Sequence, residues 1–513
     1  MRQGISIAAM IAMLAQGPVW AVPPEAGQSR SNGGGLCRTP APLPQLGAEN
    51  WNQQRPRPVP VSATARKSAA PMASPAYAPS APPPAPATDR AESAVTYDIA
   101  PSEPPASASG GSPFPVAASA DRSDKVMPGE TAGWPDPRPG RPQPRPQAGQ
   151  LTAGEHDDLL NPELYAQYQR RSNLGQELPG LPLLDTARVL TVEARDRGGQ
   201  PLGRAMVEVQ CADGNRLQLS TMSDGTVALF PALDRLGSTV KVRVAGEPWR
   251  EVAIASGAGG QRVSFTLDQR PAPPAPKLDL MLVIDTTGSM GDEINYLQTE
   301  LGAIVASIRA QHPGLDVRVG FVFYRDLGDD YVTQTVPLTR DFARAQGELG
   351  QHWAGGGGDY PEAMDQALVR GAGQDWRADA VKTMLLVADA PPHDEHIGLA
   401  WQASEVLRAR RVQIVPVAAS GVGDKAEYVM RAMAALTQSR YTFLTDDSGI
   451  GNAHAAPAID CYLITRLDAL LRRVIDSQLT GRRIEPAGQD VIRQVGDYDH
   501  GRCVIPRGGL QQD

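Results

Sequence analysis

Three oxygen-bearing side chains stand two residues apart where an apolar run ends: Asp285, Thr287 and Ser289, in KLDLMLVIDTTGSMGDEI at 277–294. A carboxylate and two hydroxyls at i, i+2 and i+4 aim three oxygens at one point, which is what a hard divalent cation requires. Gly288 and Gly291 loosen the turn that carries them. The residues before it, 280–284, are apolar without alternation, as expected of a central parallel strand covered on both faces. The oxygens then fall at the carboxyl end of that strand, where open α/β sheets bind ligands. An acid closing a buried strand also serves simply as a helix cap, so a metal site needs acids from other loops as well.

The elements that would position such a site run from about residue 278 to 480. Apolar strands (LMLVID, VRVGFVFY, YVTQTVPL, KTMLLVAD, VQIVPVAA, YTFL) alternate with amphipathic helices at about 292–311, 341–349, up to 368, 399–410, 425–436 and 463–478. That alternation predicts an α/β fold with a doubly wound, mostly parallel sheet. Upstream, 186–268 reads as about seven short strands split by Gly198-Gly199, Asp213-Gly214 and Asp224-Gly225, a small all-β sandwich. A Pro-rich linker at 269–277 joins the two, and 151–185 reads as a helical connector starting at Asn161-Pro162. Residues 22–150 are rich in Pro, Ala, Ser and Gly, a composition that cannot offset its ordering entropy. They are expected to be a disordered, polyproline-like spacer. Residues 481–513 form a tail.

Here a resemblance becomes definite. The 278–480 stretch resembles a von Willebrand factor A domain, and DTTGS is similar to that family's metal-ion-dependent adhesion site. Two further loops, GGGGDYPEAMDQAL and VADAPPHDEH, resemble those of integrin-β-like A domains. The likeness implies that Asp285, Thr287 and Ser289 ligate Mg2+ (or Mn2+), with Glu362 a direct ligand and Asp389 binding directly or through water. It also implies a second cation at Asp292 and Glu293 and a third at Asp326 and Asp359, with Ca2+ at these flanking sites. The family's Asn in the second loop is Gly357 here, which removes one side-chain ligand of the third site. A Glu where many relatives have Thr implies firmer metal retention and a weaker pull on an acidic ligand. The sandwich resembles the carboxypeptidase-regulatory-like (transthyretin-like) family, through DRGGQPLGRAMVEVQ and SDGTVALF.

Plainer readings stand beside these. Asp292 and Glu293 open a helix, where acids suit the dipole. His393, Asp394, Glu395 and His396 read as a solvated loop before a transition-metal site, and Asp326, Asp329 and Asp330 as an acidic turn. Trp353, Tyr324 and Tyr360 flank the expected site, as packing residues or as a rim. Asp446, Asp447 and Gly449 read as a turn.

The chain has 513 residues, a formal charge of −8, and Pro and Gly making up about a fifth of it. With no basic block, nucleic-acid binding has no support. ISIAAMIAMLA at 5–15 follows Arg2 and is too short to span a bilayer, so 1–21 reads as a signal peptide and the protein as exported: periplasmic, cell-surface or secreted, with no membrane span after cleavage. Of four cysteines, Cys461 and Cys503 are expected to pair, pinning the tail to the domain. Cys211 reads as a small buried hydrophobe. The expected function is non-catalytic: binding, through the metal, a protein ligand that offers an acidic side chain, in adhesion or envelope assembly. The alternatives are a structural envelope protein whose metal staples loops and a metal-assisted hydrolase.

Overall fold

The apolar run that ends at Asp285 forms a middle strand of a nine-stranded sheet. The computed structural model describes residues 35–49, 149–178, 180–181, 183–270, 277–358, 360–449 and 454–504. The expected signal peptide, most of the Pro-rich stretch and residues 271–276 of the linker lie outside the described residues, as do Asp359 and 505–513. Among the described residues no helix is long and apolar enough to cross a membrane.

In chain order the strands are β1 (Thr152–His156), β2 (Leu190–Asp196), β3 (Met206–Gln210), β4 (Arg216–Ser220), β5 (Thr226–Leu229), β6 (Thr239–Val244), β7 (Arg250–Ala253), β8 (Gln261–Leu267), β9 (Lys277–Asp285), β10 (Asp316–Tyr324), β11 (Thr333–Thr339), β12 (Val381–Ala388), β13 (Val412–Ala418), β14 (Tyr441–Thr445), β15 (Tyr462–Arg466) and β16 (Arg493–Val495). The longer helices are α1 (Pro162–Ser172), α2 (Gly291–Gln311), α3 (Phe342–Leu349), α4 (Met364–Ala372), α5 (Ile397–Ala409), α6 (Asp424–Leu436) and α7 (Leu467–Thr480).

The large sheet has the order β11-β10-β9-β12-β13-β14-β1-β15-β16. Strands β10, β9, β12, β13 and β14 are parallel, and the others join antiparallel. From β9 the chain goes first to β10 on one side and then to β12 on the other. The β9/β12 junction is therefore the topological switch point, where a crevice opens beyond the strand ends. Both faces are covered. Leu278, Leu280, Leu282 and Ile284 pack with Ile294, Leu301 and Leu471, while Met281 and Val283 pack with Leu368, Ile397 and Val429. Full burial on both sides is why the run shows no alternation.

The sandwich has the seven expected strands, as sheets β5-β2-β8 and β4-β3-β6-β7. Its turn glycines Gly199, Gly214 and Gly225 have φ of 78°, 86° and 79°, a region that favours glycine.

Three features differ from the sequence expectation. The connector opens with a strand: β1 is inserted antiparallel between β14 and β15, with Thr152 opposite both Thr445 and Arg466. Gly154 allows this, since a Cβ there would lie 2.4 Å from the Phe443 ring. Second, residues 35–49 of the Pro-rich stretch are held against both domains. Cys37 and Cys211 form a disulfide, Arg38 pairs with Glu405 on α5 through both guanidinium nitrogens, and Glu49 accepts hydrogen bonds from Thr333 and Thr335 on the edge strand β11. Cys211 is thus a bridge partner, and this piece of the stretch is not a free spacer. Third, the last helix, expected from about residue 463, starts at Leu467, and Tyr462–Arg466 after Cys461 form β15 instead. Cys461 pairs with Cys503, and the tail is held further by Asn161, whose Nδ2 donates to Gly501 O while its Oδ1 accepts from Cys503 N. Asn161 therefore clamps the tail and makes no side-chain cap on α1.

Candidate metal centre

Four of the loops beyond the strand ends meet at the switch point. Asp285 closes β9, Asp326 lies two residues after β10, and Asp389 follows β12 directly. Asp285, Thr287, Glu362 and Asp389 are buried, whereas Ser289 is exposed. Asp285 Oδ1 accepts from Thr287 N at 2.9 Å and Thr287 Oγ1 at 2.7 Å, and Thr287 Oγ1 lies 3.4 Å from Ser289 Oγ. Ser289 also hydrogen-bonds the Asp389 carboxylate. The second loop lies against the first: Gly288 N donates to Gly356 O and Gly355 N to Thr286 O. The second and third loops are joined by Glu362 N donating to Pro391 O at 3.0 Å.

Gly357 shows why this loop is glycine-rich. Its φ is 71°, and a Cβ there would sit 3.0 Å from Glu362 Oε1 and 3.3 Å from Thr287 Cβ. A side chain at this position would crowd Thr287 and Glu362 from a left-handed backbone.

Burial together with like charge shapes the electrostatics. Burial, then the Asp389 charge, push Asp285 up to about 7 against the Thr287 hydrogen bonds. Burial, then Asp285, Asp326, Asp329 and Asp389, push Glu362 up to about 9. Burial raises Asp389 against its bond from Ser289. Asp285 Oδ2, Glu362 Oε2 and Asp389 Oδ1 are buried and accept no hydrogen bond. Burial and then the Asp285 charge raise the Tyr324 hydroxyl well above its usual range.

Among the described residues no three His, Cys, Asp or Glu side chains stand close enough to encircle an ion. The oxygens here come from carboxylates and hydroxyls together, and a hard cation of this class completes its shell with water. Orphaned buried carboxylate oxygens beside two hydroxyls suit that donor set. A cation would also remove the conflict that raises the acids' pKa values.

The flanking positions are described only in part. Glu293 is buried and accepts from Ser420 N at 3.3 Å; the Asp292 side chain and Asp359 lie outside the described residues. Asp326 is engaged by His393, Nε2 to Oδ1 at 2.6 Å, so the loop read as solvated packs onto this site. His396 Nδ1 lies 3.8 Å from Asp365 Oδ1.

Sequence reasoning undervalued Asp329, which it took as part of an acidic turn. Its carboxylate accepts from Asp326 N at 3.1 Å and Gly357 N at 2.8 Å, tying the post-β10 loop to the glycine loop. It also missed Arg325, which donates to Trp353 O at 3.1 Å and stacks 4.6 Å from the Tyr331 ring centroid. Its place in the acidic turn DLGDD was the only signal for Asp329, and Arg325 gave none. Tyr324 is core, while Trp353 and Tyr360 are exposed.

A family model for the von Willebrand factor A domain matches residues 279–455. The alpha-protein kinase vwkA of Dictyostelium discoideum is 28% identical over 120 residues, which is 23% of this chain and 19% of that protein. The chain thus spans about a fifth of that relative's length. Among solved structures, the conserved hypothetical protein BatB from Bacteroides thetaiotaomicron is 11% identical with a TM-score of 0.28, covering 39% of this chain and 98% of its own. The open conformation of the pilus adhesin SpaC from Lactobacillus rhamnosus GG is 14% identical with a TM-score of 0.29, covering 47% of this chain and 31% of its own. The family match begins in β9, ends beyond β14 and encloses the switch-point loops, while β1, β15 and β16 of the same sheet lie outside it; residues 279–455 are a von Willebrand factor A domain.

Proposed function

We propose that this protein binds a partner protein through a divalent cation, Mg2+ or Mn2+, held by Asp285, Thr287, Ser289, Glu362 and Asp389. The observation that carries the reading is the set of buried carboxylate oxygens without hydrogen bonds on Asp285, Glu362 and Asp389. Buried polar atoms are normally satisfied, and a cation would satisfy all three at once. The bound ion supplies Lewis acidity toward an incoming carboxylate. The chain's own part is to hold the oxygens, exclude bulk water with Tyr324 and Met290, and fix the glycine loop through Asp329. A partner's acidic side chain would complete the shell. We place the protein outside the cytoplasm, consistent with its two disulfides. Catalysis is not part of the proposal: vwkA matches over less than a quarter of this chain.

The test is calorimetric titration of Mg2+, Mn2+ and Ca2+ into the full chain, wild type beside Asp285→Ala and Glu362→Ala. The reading expects a binding event in the wild type that both variants lose. No heat for any ion at millimolar concentration would end it.

A further inference from the structure

Among the described residues six large hydrophobic side chains are exposed: Leu183, Leu327, Trp353, Tyr360, Ile492 and Val504. Three of them, Leu327, Trp353 and Tyr360, belong to the loops that surround the carboxylates, at 42%, 50% and 44% exposure. These loops are braced from behind. Trp353 O accepts from Arg325, Leu327 lies between Asp326, held by His393, and Asp329, held by Gly357 N, and Tyr360 Oη donates to Asp389 O at 3.3 Å while accepting from Gly423 N at 2.6 Å. Exposed apolar side chains on neighbouring loops suit an interaction surface, and aromatic side chains with a polar handle suit one particularly well.

We propose that Leu327, Trp353 and Tyr360 form an apolar collar around the metal position, selecting a protein segment whose metal-directed Asp or Glu is flanked by a large apolar side chain. The proposal rests on the metal-dependent reading above. Two features of the surface specify this occupant. A purely apolar segment would leave the cation's open position unfilled, and a lone acid would leave the collar in water; only a segment carrying both satisfies both. The surrounding charge limits the acid to one. Asp330 is exposed, 3.7 Å from Arg325, and Asp326, Asp329 and Glu362 belong to the same two loops, so a segment with several acids meets like charge from them.

The test is selection of a displayed random-peptide library on the full chain, in Mg2+ and in EDTA, with wild type and a Trp353→Ala/Leu327→Ser variant. Both side chains are half-exposed, and an unchanged melting curve verifies that the variant folds. Tyr360 is left intact because its hydroxyl braces Asp389. The expected result on wild type is Mg2+-dependent enrichment of an acid with an aromatic or large aliphatic residue one or two positions away. The variant is expected to keep the acid, lose the apolar preference and bind a wild-type-selected peptide at least about tenfold more weakly. Enrichment of the acid without apolar neighbours overturns the collar and leaves the metal reading standing. Apolar enrichment that survives EDTA overturns the coupling of collar and cation. No Mg2+-dependent enrichment of any kind overturns both.

Discussion

Replacing Asp285 with asparagine removes a charge that the metal-free fold holds at a loss. Burial and the Asp389 charge raise the Asp285 carboxyl from 3.8 to about 7. A raised folded-state pKa means that the folded state binds more protons than the unfolded chain between those two values, so stability falls as pH rises across that window. Above pH 7 the full shift of about three units, at about 1.4 kcal/mol each, costs on the order of 4 kcal/mol. At pH 5 only about one unit of that cost is present. The metal-free wild type should therefore lose about 3 kcal/mol between pH 5 and pH 8 through this one group. The amide of Asp285→Asn would keep an oxygen for the Thr287 donors and carry no charge, so the variant should lose less. In EDTA at pH 8, Asp285→Asn is expected to be the more stable protein. Adding Mg2+ at about a hundredfold its Kd would stabilise the wild type by about 2.7 kcal/mol and leave the variant unmoved. Urea denaturation of the full chain at pH 5 and 8, in EDTA and in Mg2+, reads all four quantities. Equal stability of the two proteins in EDTA at pH 8, with equal responses to Mg2+, would refute the account of this site as a repulsive acid cluster relieved by a cation.

Gly357→Ala forces a side chain into a left-handed position 3.0 Å from Glu362 Oε1. It should cost about 1–2 kcal/mol and weaken Mg2+ binding in calorimetry. Arg431 is fully buried between Asp158 and Glu427 and stacks 3.9 Å from the Tyr168 ring centroid. Arg431→Met leaves two buried carboxylates uncompensated and should cost about 3–5 kcal/mol in urea denaturation; a loss under about 1 kcal/mol would show the network to be dispensable. The Cys461–Cys503 bridge closes a separation of 42 residues, and a Cys461→Ser/Cys503→Ser variant should lose about 3–4 kcal/mol. Hydrogen exchange should then place the largest loss of protection in β16 and the closing hairpin of Tyr498–Asp499 and Arg502–Cys503.

The parts of the fold that were legible in the sequence repeat a local pattern. Strand β9 announced itself by continuous apolarity ending in an acid, and α6 by a periodic stripe from 425 to 436, observed as Asp424–Leu436. The two-residue spacing of Asp285, Thr287 and Ser289 was equally local. What escaped depends on residues far away. TAGEH contains no apolar alternation, a glycine in the middle and a charge at its end, so nothing within the segment itself marks β1 as a strand. Its identity comes from distant partners: Phe443, which needs the space above Gly154, and Arg440 and Arg473, which engage Glu155. Burial would raise the Glu155 carboxyl, but these arginines and Arg483 hold it at about 2. The pairing of Cys37 escaped for a related reason. Its surroundings are compositionally those of an unfolded chain, and the fit of residues 35–49 depends on a surface built much later in the sequence.

The placement of β1 has a mechanical consequence. This strand precedes the sandwich in the chain but belongs to the sheet that follows it, so the sandwich is an insertion within a larger body rather than a bead strung before it. The chain reaches the sandwich from β1 and leaves it into β9, so both ends of this module are rooted in the one nine-stranded sheet. A single cut in the backbone on either side would leave it attached by the other, where a terminal bead would be set free.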